Sequence, residues 1–105
     1  MHAKPIAGAY RRTAVATPAK VYTDVVAAAV VQSDGSFTPN VRYFKVAAES
    51  QVVRYTLDGT TPTTTNGFRL LTGVAPTVFS LAEMRAAKFL EESAGGYVST
   101  QPYSQ

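Results

Sequence analysis

The chain of 105 residues contains no cysteine and no tryptophan, and it has a single histidine. Without cysteine, neither a disulfide framework nor thiolate chemistry is possible. One histidine, His2, provides neither a pair of imidazole metal ligands nor, from its place near the N-terminus, a convincing base for a nucleophilic triad. Charged residues are also scarce, at 16% of the chain, and the net charge is +3. A charge this small does not by itself indicate a nucleic-acid partner.

Long apolar runs are missing as well. The longest, residues 25–31, is far below the roughly 20 residues that a membrane-spanning helix needs. The N-terminal basic residues are not followed by the apolar segment of a signal peptide. We therefore expect a single domain that stays in the compartment where it is synthesised and has no membrane partner.

The chemistry-bearing side chains are dispersed. Glu91 and Glu92 are adjacent, so on a strand their carboxylates point to opposite faces. The aspartates Asp24, Asp34 and Asp58 are scattered between a candidate strand and two turns. Neither a glycine-rich phosphate loop nor a metal-ligand spacing is present. The sequence predicts a protein that is not an enzyme and needs no cofactor.

The most informative stretch is residues 52–65. Val53, Tyr55 and Leu57 alternate with more polar positions, which is typical of a strand. Asp58 and Gly59 then predict a tight turn, because glycine accepts a positive φ and the aspartate carboxylate can accept hydrogen bonds from the following amides. Pro62 has no amide hydrogen, so a central strand cannot simply continue through it. We interpret Asp58, Gly59 and Pro62 as structural residues that fix the register of the strand.

Several other segments are rich in β-branched and aromatic residues, and the predicted strands are 20–31, 41–47, 52–57, 68–71, 86–91 and 97–101. The short gap between 41–47 and 52–57 predicts that these two strands pair, and the glycine pair near residue 95 predicts a hairpin between the last two. Helix remains an alternative for 20–31 and 86–91. Ser80 and Glu83 have the spacing of a capping box, with Phe79 and Met84 as its hydrophobic staple. The pattern predicts an all-β, small antiparallel β-sandwich with one short helical turn.

Residues 1–19 differ from the remainder, residues 20–105, which we predict to form the sandwich domain. This segment carries Lys4, Arg11 and Arg12 without any acid, and proline and glycine interrupt it. It is expected to be an extended basic arm. Such an arm is either a mobile tail or is docked on its own domain or on a neighbouring subunit.

The segment Arg54–Thr63 resembles the Tyr-Thr-x-Asp-Gly-x-x-Pro-Thr signature of chitobiase C-terminal-like domains, which implies an immunoglobulin-like fold. A closer resemblance is to a group of small structural proteins of tailed bacteriophages. The parts that match them are Val53–Thr63, Gly67, Leu70 or Leu71, Leu81–Phe89 and Tyr97–Tyr103. The similarity spans about residues 41–103 and is most specific over the ten residues around Asp58.

The resemblance implies a non-enzymatic virion protein, first of all a capsid decoration (cement) protein that forms a homo-oligomer. Its expected partners are the major capsid protein or neighbouring virion subunits, and its expected location is the virion. The candidate assembly contacts are Lys4, Tyr10, Arg11, Arg12 and Tyr103. Two alternatives remain: a head–tail connector, tail or fibre-base component, and a carbohydrate-binding module. The absence of tryptophan weakens the latter, although six tyrosines keep it open.

Overall fold

The computed structural model describes residues 3–104 and is mostly β. Within that range the strands are β1 Lys4–Pro5, β2 Arg11–Ala14, β3 Lys20–Val21, β4 Tyr43–Glu49, β5 Val53–Thr56, β6 Phe68–Leu70, β7 Thr77–Ser80, β8 Lys88–Glu91 and β9 Tyr97–Ser104. Two α-helices, α1 Tyr22–Val25 and α2 Leu81–Ala86, and a 3-10 helix, Ala28–Val30, complete the fold. Across residues 3–104 no helix has the length and apolar character needed to cross a membrane.

The strands form two antiparallel sheets. In sheet A, β9 lies between β4 and the pair β1 and β2, and β7 follows β4 at the far edge. Sheet B has the order β3, β8, β5, β6. The chain changes sheet between β4 and β5, between β6 and β7, and between β8 and β9. It also changes sheet on both sides of β3 and between β7 and β8, so that only β1–β2 and β5–β6 are consecutive strands of one sheet.

The prediction that strands 41–47 and 52–57 pair with each other is wrong. Both strands exist, as β4 and β5, but β4 pairs with β7 and β9 while β5 pairs with β6 and β8. Ser50 has a φ of 72°, and the Gln51 amide donates to the Glu49 carbonyl over 2.9 Å. At this kink the chain crosses from sheet A to sheet B. A short connection between two strands is compatible with such a crossing as well as with a hairpin.

The hairpin predicted around Gly95 is also wrong, although strand rather than helix is correct for 88–91. Strand β8 lies in sheet B and β9 in sheet A. Both edges of β9 are occupied, by β2 on one side and by β4 on the other. Val15, which follows β2, lies between the end of β8 and the start of β9. Its amide donates to the Gly96 carbonyl over 3.2 Å, and its carbonyl accepts from the Glu91 amide over 2.9 Å.

The strand predicted over 20–31 is reduced to its first two residues, and the helical alternative better describes residues 22–30. Asp24 ends the strand because its carboxylate accepts from the Val21 amide over 3.0 Å, as a helix-capping side chain does. Val25, Val26 and Val30 are buried at irregular spacing through α1 and the 3-10 helix. These three valines therefore contribute to the core without the every-second-residue spacing of a strand.

The predicted capping box is present at the start of α2. The Ser80 Oγ accepts from the Glu83 amide over 3.1 Å, and the Glu83 carboxylate accepts from the Ser80 amide over 2.8 Å. Phe79 and Met84, the predicted staple, are both buried. Strand β7, directly before this helix, is absent from the predicted strands, because Pro76 indicates a loop.

The core lies between the two sheets. Phe79 of sheet A packs against Tyr55 and Phe89 of sheet B, with ring centroids 5.2 and 6.0 Å apart. The remaining buried side chains are mainly valines, and they include Ala9 and Val15 from the N-terminal segment. The hydroxyl of Thr100 is fully buried and donates to the Val25 carbonyl over 2.7 Å, so this polar group is satisfied while it ties α1 to β9.

Candidate assembly surfaces

Asp58 and Gly59 lie at the tip that follows β5. The Asp58 carboxylate accepts from the Thr60 amide over 3.1 Å and from the Thr60 hydroxyl over 2.6 Å. These two hydrogen bonds, first that from the hydroxyl, hold the pKa of Asp58 below its usual value. Gly59 has a φ of 90°, a conformation that side chains resist.

The rest of the protein fixes this turn in place. The Lys88 ammonium donates to the Gly59 carbonyl over 3.0 Å, and the Thr56 hydroxyl donates to the Thr60 carbonyl over 2.5 Å. Pro62 is fully buried. These hydrogen bonds hold the Asp58–Thr60 turn within the chain, and the structural role of Asp58, Gly59 and Pro62 stays a prediction.

The described part of the predicted arm lies along its own domain. In the register of sheet A, Lys4 is opposite Ser104 and Arg11 is opposite Thr100. Val15 is fully buried and packs in the core, so this segment is part of the folded domain. Of the two docked alternatives, this structure has the arm on its own chain. His2 and the last residue, Gln105, lie outside the described residues.

Three candidate contact residues are already engaged within the chain. The Tyr10 hydroxyl donates to Glu49 over 3.2 Å and shares a hydrogen bond of 2.9 Å with Ser99. The Arg12 guanidinium makes a 3.0 Å ion pair with Glu49 and lies 3.7 Å from the ring centroid of Tyr97. Arg11 donates to the carbonyl of Val26 over 3.1 Å.

Tyr103, the candidate contact at the C-terminal end, forms part of a tyrosine pair on the outer face of sheet A. Its ring stacks on Tyr43, with centroids 5.1 Å apart and an interplanar angle of 5°. The Lys45 ammonium lies 4.8 Å from the Tyr103 centroid. Tyr10 and Tyr103 border a shared open groove of about 350 Å³. The structure thus brings these two residues together, whereas Lys4 and Arg11 do not line the groove.

A surface that the sequence reasoning missed runs along residues 68–78, which we name the open edge. Phe68, Leu71, Val74 and Val78 have exposed fractions of 64%, 47%, 57% and 57%. The feature of the sequence that could have predicted this surface is a stretch rich in apolar residues with no acid and only one basic residue, Arg69. The sequence pattern indicates only a short strand and a turn for part of this stretch.

The carboxylates serve structural contacts. Glu91 accepts from the amides of Gly95 and Gly96 over 3.2 and 3.0 Å. Glu92 makes ion pairs with Arg69 and Arg54, at 3.1 and 2.7 Å, and these guanidinium contacts, that of Arg69 foremost, lower its pKa. Among residues 3–104 no three His, Cys, Asp or Glu side chains converge as a metal site.

The geometry therefore defines a basic arm, a tyrosine-lined groove and an apolar open edge on a small domain of two antiparallel sheets. Comparison of the chain with protein-family models, with curated proteins and with solved structures found no match.

Proposed function

We propose that the protein is a non-enzymatic virion structural protein, and first of all a capsid decoration protein that binds and stabilises the shell of a tailed bacteriophage. The observation that carries the proposal is the segment Val53–Thr63, whose sequence resembles that of small phage structural proteins and which forms a strand and a fixed Asp-Gly turn. We also propose that the two sheets form an immunoglobulin-like sandwich, as the resemblance of Arg54–Thr63 to chitobiase C-terminal-like domains implies.

The basic arm is the surface that we assign to the shell. It lies at one edge of sheet A and carries Lys4, Arg11 and Arg12, with no acid in residues 3–19. Arg12 is neutralised by Glu49, so Lys4 and Arg11 supply the uncompensated charge. Both are exposed, and a shell surface with acidic side chains would complement them and speed association.

Deletion of the arm is a poor test of this role. Ala9 and Val15 are buried in the core, and β2 occupies one edge of β9. A truncated chain would lose these contacts and unfold or aggregate whether or not the arm binds a particle. Charge reversal of exposed arm side chains separates binding from folding.

The experiment uses purified protein, particles that lack it, and co-sedimentation with mass analysis. The parent chain should bind at hundreds of copies per particle, and the Lys4→Glu/Arg11→Glu double variant should bind far more weakly while it remains folded, with only the small loss in melting temperature expected when the hydrogen bond from Arg11 to the Val26 carbonyl is removed. Arg85→Glu, at an exposed position on α2, is the matched control and should bind as the parent does. Equal binding of the parent and the double variant would refute the role of the arm.

The copy number distinguishes decoration from the alternative virion locations. A shell offers many equivalent sites, whereas the neck or tail offers about a dozen or fewer because of its lower symmetry. Saturation at such a small number would assign the protein to a connector, tail or fibre base. A parent chain that binds no part of the particle would refute the virion proposal as a whole.

The groove beside Tyr10 and Tyr103 favours a second candidate function, carbohydrate binding. Tyrosine rings can pack on the apolar face of a sugar, and Glu49 and Lys45 at the same groove offer polar partners. A glycan screen tests this candidate directly. Saturable binding that is lost in Tyr103→Ala, with no binding to particles, would replace the assembly role.

A further inference from the structure

A second open cleft lies at the Asp-Gly turn that follows β5. Neither the basic arm nor the tyrosine-lined groove contributes a residue to it. Its volume is about 560 Å³, which is within the range of small-molecule sites. The lining residues belong to the turn and to the start of β6, and they are Thr56, Leu57, Asp58, Thr60, Gly67 and Phe68.

One wall of this cleft is an aromatic ring that the core holds in place. The Phe68 ring is 64% exposed, yet it packs on the Tyr55 ring with centroids 5.5 Å apart. Tyr55 in turn packs on the buried rings of Phe79 and Phe89, at 5.2 and 6.3 Å. A ligand in the cleft therefore meets an aromatic surface whose position is fixed before binding.

The polar wall of the cleft is the Asp58 carboxylate, which has one oxygen without a partner. Both hydrogen bonds from Thr60 reach the same atom, Oδ1, so within residues 3–104 nothing donates to Oδ2. The pKa of Asp58 is lowered by the Thr60 hydroxyl and amide, which are neutral groups. Lys88 directs its ammonium to the Gly59 carbonyl and makes no ion pair with Asp58. The carboxylate is therefore an anion that no cation of the described chain pairs with.

The side-chain donors of the cleft are already in use. The Thr60 hydroxyl donates to Asp58 Oδ1 over 2.6 Å, and the Thr56 hydroxyl donates to the Thr60 carbonyl over 2.5 Å. The remaining lining residues have no polar side-chain atoms. Ammonium and guanidinium groups donate hydrogen bonds and accept none, so they match this set of groups, whereas sugar hydroxyls need donors as well.

The turn at Asp34 has the same hydrogen bonds as the turn at Asp58 but lines neither cleft. Asp34 Oδ1 accepts from the Ser36 amide over 3.0 Å and from the Ser36 hydroxyl over 2.6 Å, and Gly35 has a φ of 87°. The pKa of Asp34 is lowered first by the Ser36 hydroxyl, and the charge of Arg85 adds to this effect. The turn by itself is therefore not a site, and Asp34 provides a matched control for Asp58.

We propose that this cleft binds an organic cation, an ammonium or guanidinium group on an apolar stem, with its charge at Asp58 Oδ2 and its body against the Phe68 ring. An aromatic face attracts a cation, and the adjacent carboxylate adds charge complementarity. The cation belongs either to a free amine or to a lysine or arginine side chain of a partner, because both present the same chemistry. The site is independent of the virion role, and its test requires no particle.

The test is an NMR titration of the isotope-labelled full chain. The probes are choline as a free amine, N-acetyl-lysinamide and N-acetyl-argininamide as models of partner side chains, and N-acetyl-norleucinamide as the neutral match of the lysine probe. A cationic probe should bind saturably in the millimolar range, shift the amide signals of Thr60 and Gly67, and bind more weakly as salt is raised. The neutral probe should bind about threefold more weakly than the lysine probe or worse.

The relative affinities of the cationic probes identify the source of the ligand. Tighter binding of choline would indicate a free amine, and tighter binding of the lysine or arginine probe would indicate a side chain of a partner. Either result supports a cation site at this cleft.

Two substitutions separate the carboxylate from the ring. Asp58→Asn keeps an oxygen that accepts from Thr60 but removes the charge, and Phe68→Leu keeps an apolar side chain but removes the ring. Each should raise the dissociation constant of the lysine probe about threefold. Asp34→Asn makes the same charge change in the matched turn, and Leu71→Ala shortens an exposed side chain that does not line the cleft, so both should bind as the parent does.

Circular dichroism melts establish that each variant is folded. If Asp58→Asn does not fold, the lysine and norleucine probes test the charge on the parent chain itself. The proposal is overturned if no cationic probe binds, if the neutral probe binds as tightly as the lysine probe, or if a folded Asp58→Asn or Phe68→Leu variant binds as tightly as the parent. Saturable binding of a neutral sugar at the same amides, without binding of any cation, would also overturn it.

Discussion

Replacement of Gly59 by valine isolates the backbone requirement of the Asp-Gly turn. Gly59 has a φ of 90°, and a Cβ placed on it would meet no atom within 4 Å. The Cβ itself therefore causes no clash, and we expect the cost of the substitution to be mainly conformational. A β-branched residue is among the least tolerant of positive φ.

The expected loss follows from that conformation. Holding a non-glycine residue in the left-handed region costs about 1–2 kcal/mol. For a domain of this size such a loss lowers the melting temperature by about 4–16 °C. The turn cannot easily relax to a negative φ, because the Asp58 carboxylate bonds the Thr60 amide at 3.1 Å and the Lys88 ammonium bonds the Gly59 carbonyl at 3.0 Å.

Thermal and urea unfolding followed by circular dichroism measure this effect. Gly59→Asn should lose less than Gly59→Val, since asparagine tolerates positive φ better than other side chains. Thr61→Val adds an exposed valine two residues away, at a position without positive φ, and controls for the hydrophobic surface. If Gly59→Val melts at the same temperature as the parent, the turn does not require glycine and this reasoning is refuted.

Three further outcomes are expected. Val15→Ala should cost about 1–3 kcal/mol in urea unfolding because Val15 is fully buried, whereas Val21→Ala at an exposed site should cost far less. Ser80→Ala removes the N-cap of α2 and should cost about 1 kcal/mol by the same measurement; no loss would contradict the capping box. Hydrogen bonds from Thr60 depress the folded-state pKa of Asp58 below 3.8, so their stabilisation is present above pH 3.8 and is lost as the pH falls through the folded-state value. Melts of Asp58→Asn and the parent should differ near neutral pH and converge in acid, and a pH-independent difference would contradict this.

Features determined by neighbouring residues could be predicted from the sequence. The turn at Asp58 depends on a carboxylate and an amide two residues apart, and the capping box at Ser80 depends on a pair three residues apart. The β-branched and aromatic residues of 52–57 likewise indicate a strand, although its burial does not alternate, because Thr56 is buried as well as Val53. In each case the side chain and its partner lie within a few residues of each other.

Features that depend on contacts between residues far apart in the sequence could not be predicted. Strand β7 has only four residues and follows Pro76, and its partner is β4, more than thirty positions earlier. The segment 20–31 has valines that suit a strand, but Asp24 and three buried valines favour helical turns once the core surrounds them. Local pattern alone does not rank these possibilities.

The candidate surfaces divide in the same way. The basic composition of residues 1–19 marks the arm, but the engagement of Arg12 with Glu49 and Tyr97 depends on the register of β2 against β9. The open edge was missed because the sequence does not show that Phe68 and Val78 lie on the last strands of their sheets, β6 and β7, or that Leu71 and Val74 lie exposed in the connection between them.

The position of β9 explains why the arm and the fold are coupled. Strand β9 is the last in sequence, yet β1 and β2 make it an inner strand of sheet A. An arm transferred to a neighbouring subunit would expose the edge of β9 and empty the site that Val15 fills. Such a transfer is compatible with this fold only if each subunit receives an equivalent arm in return. Any contact that the arm makes without exchange must therefore use its outward side chains, Lys4 and Arg11 among them, and not its backbone pairing with β9.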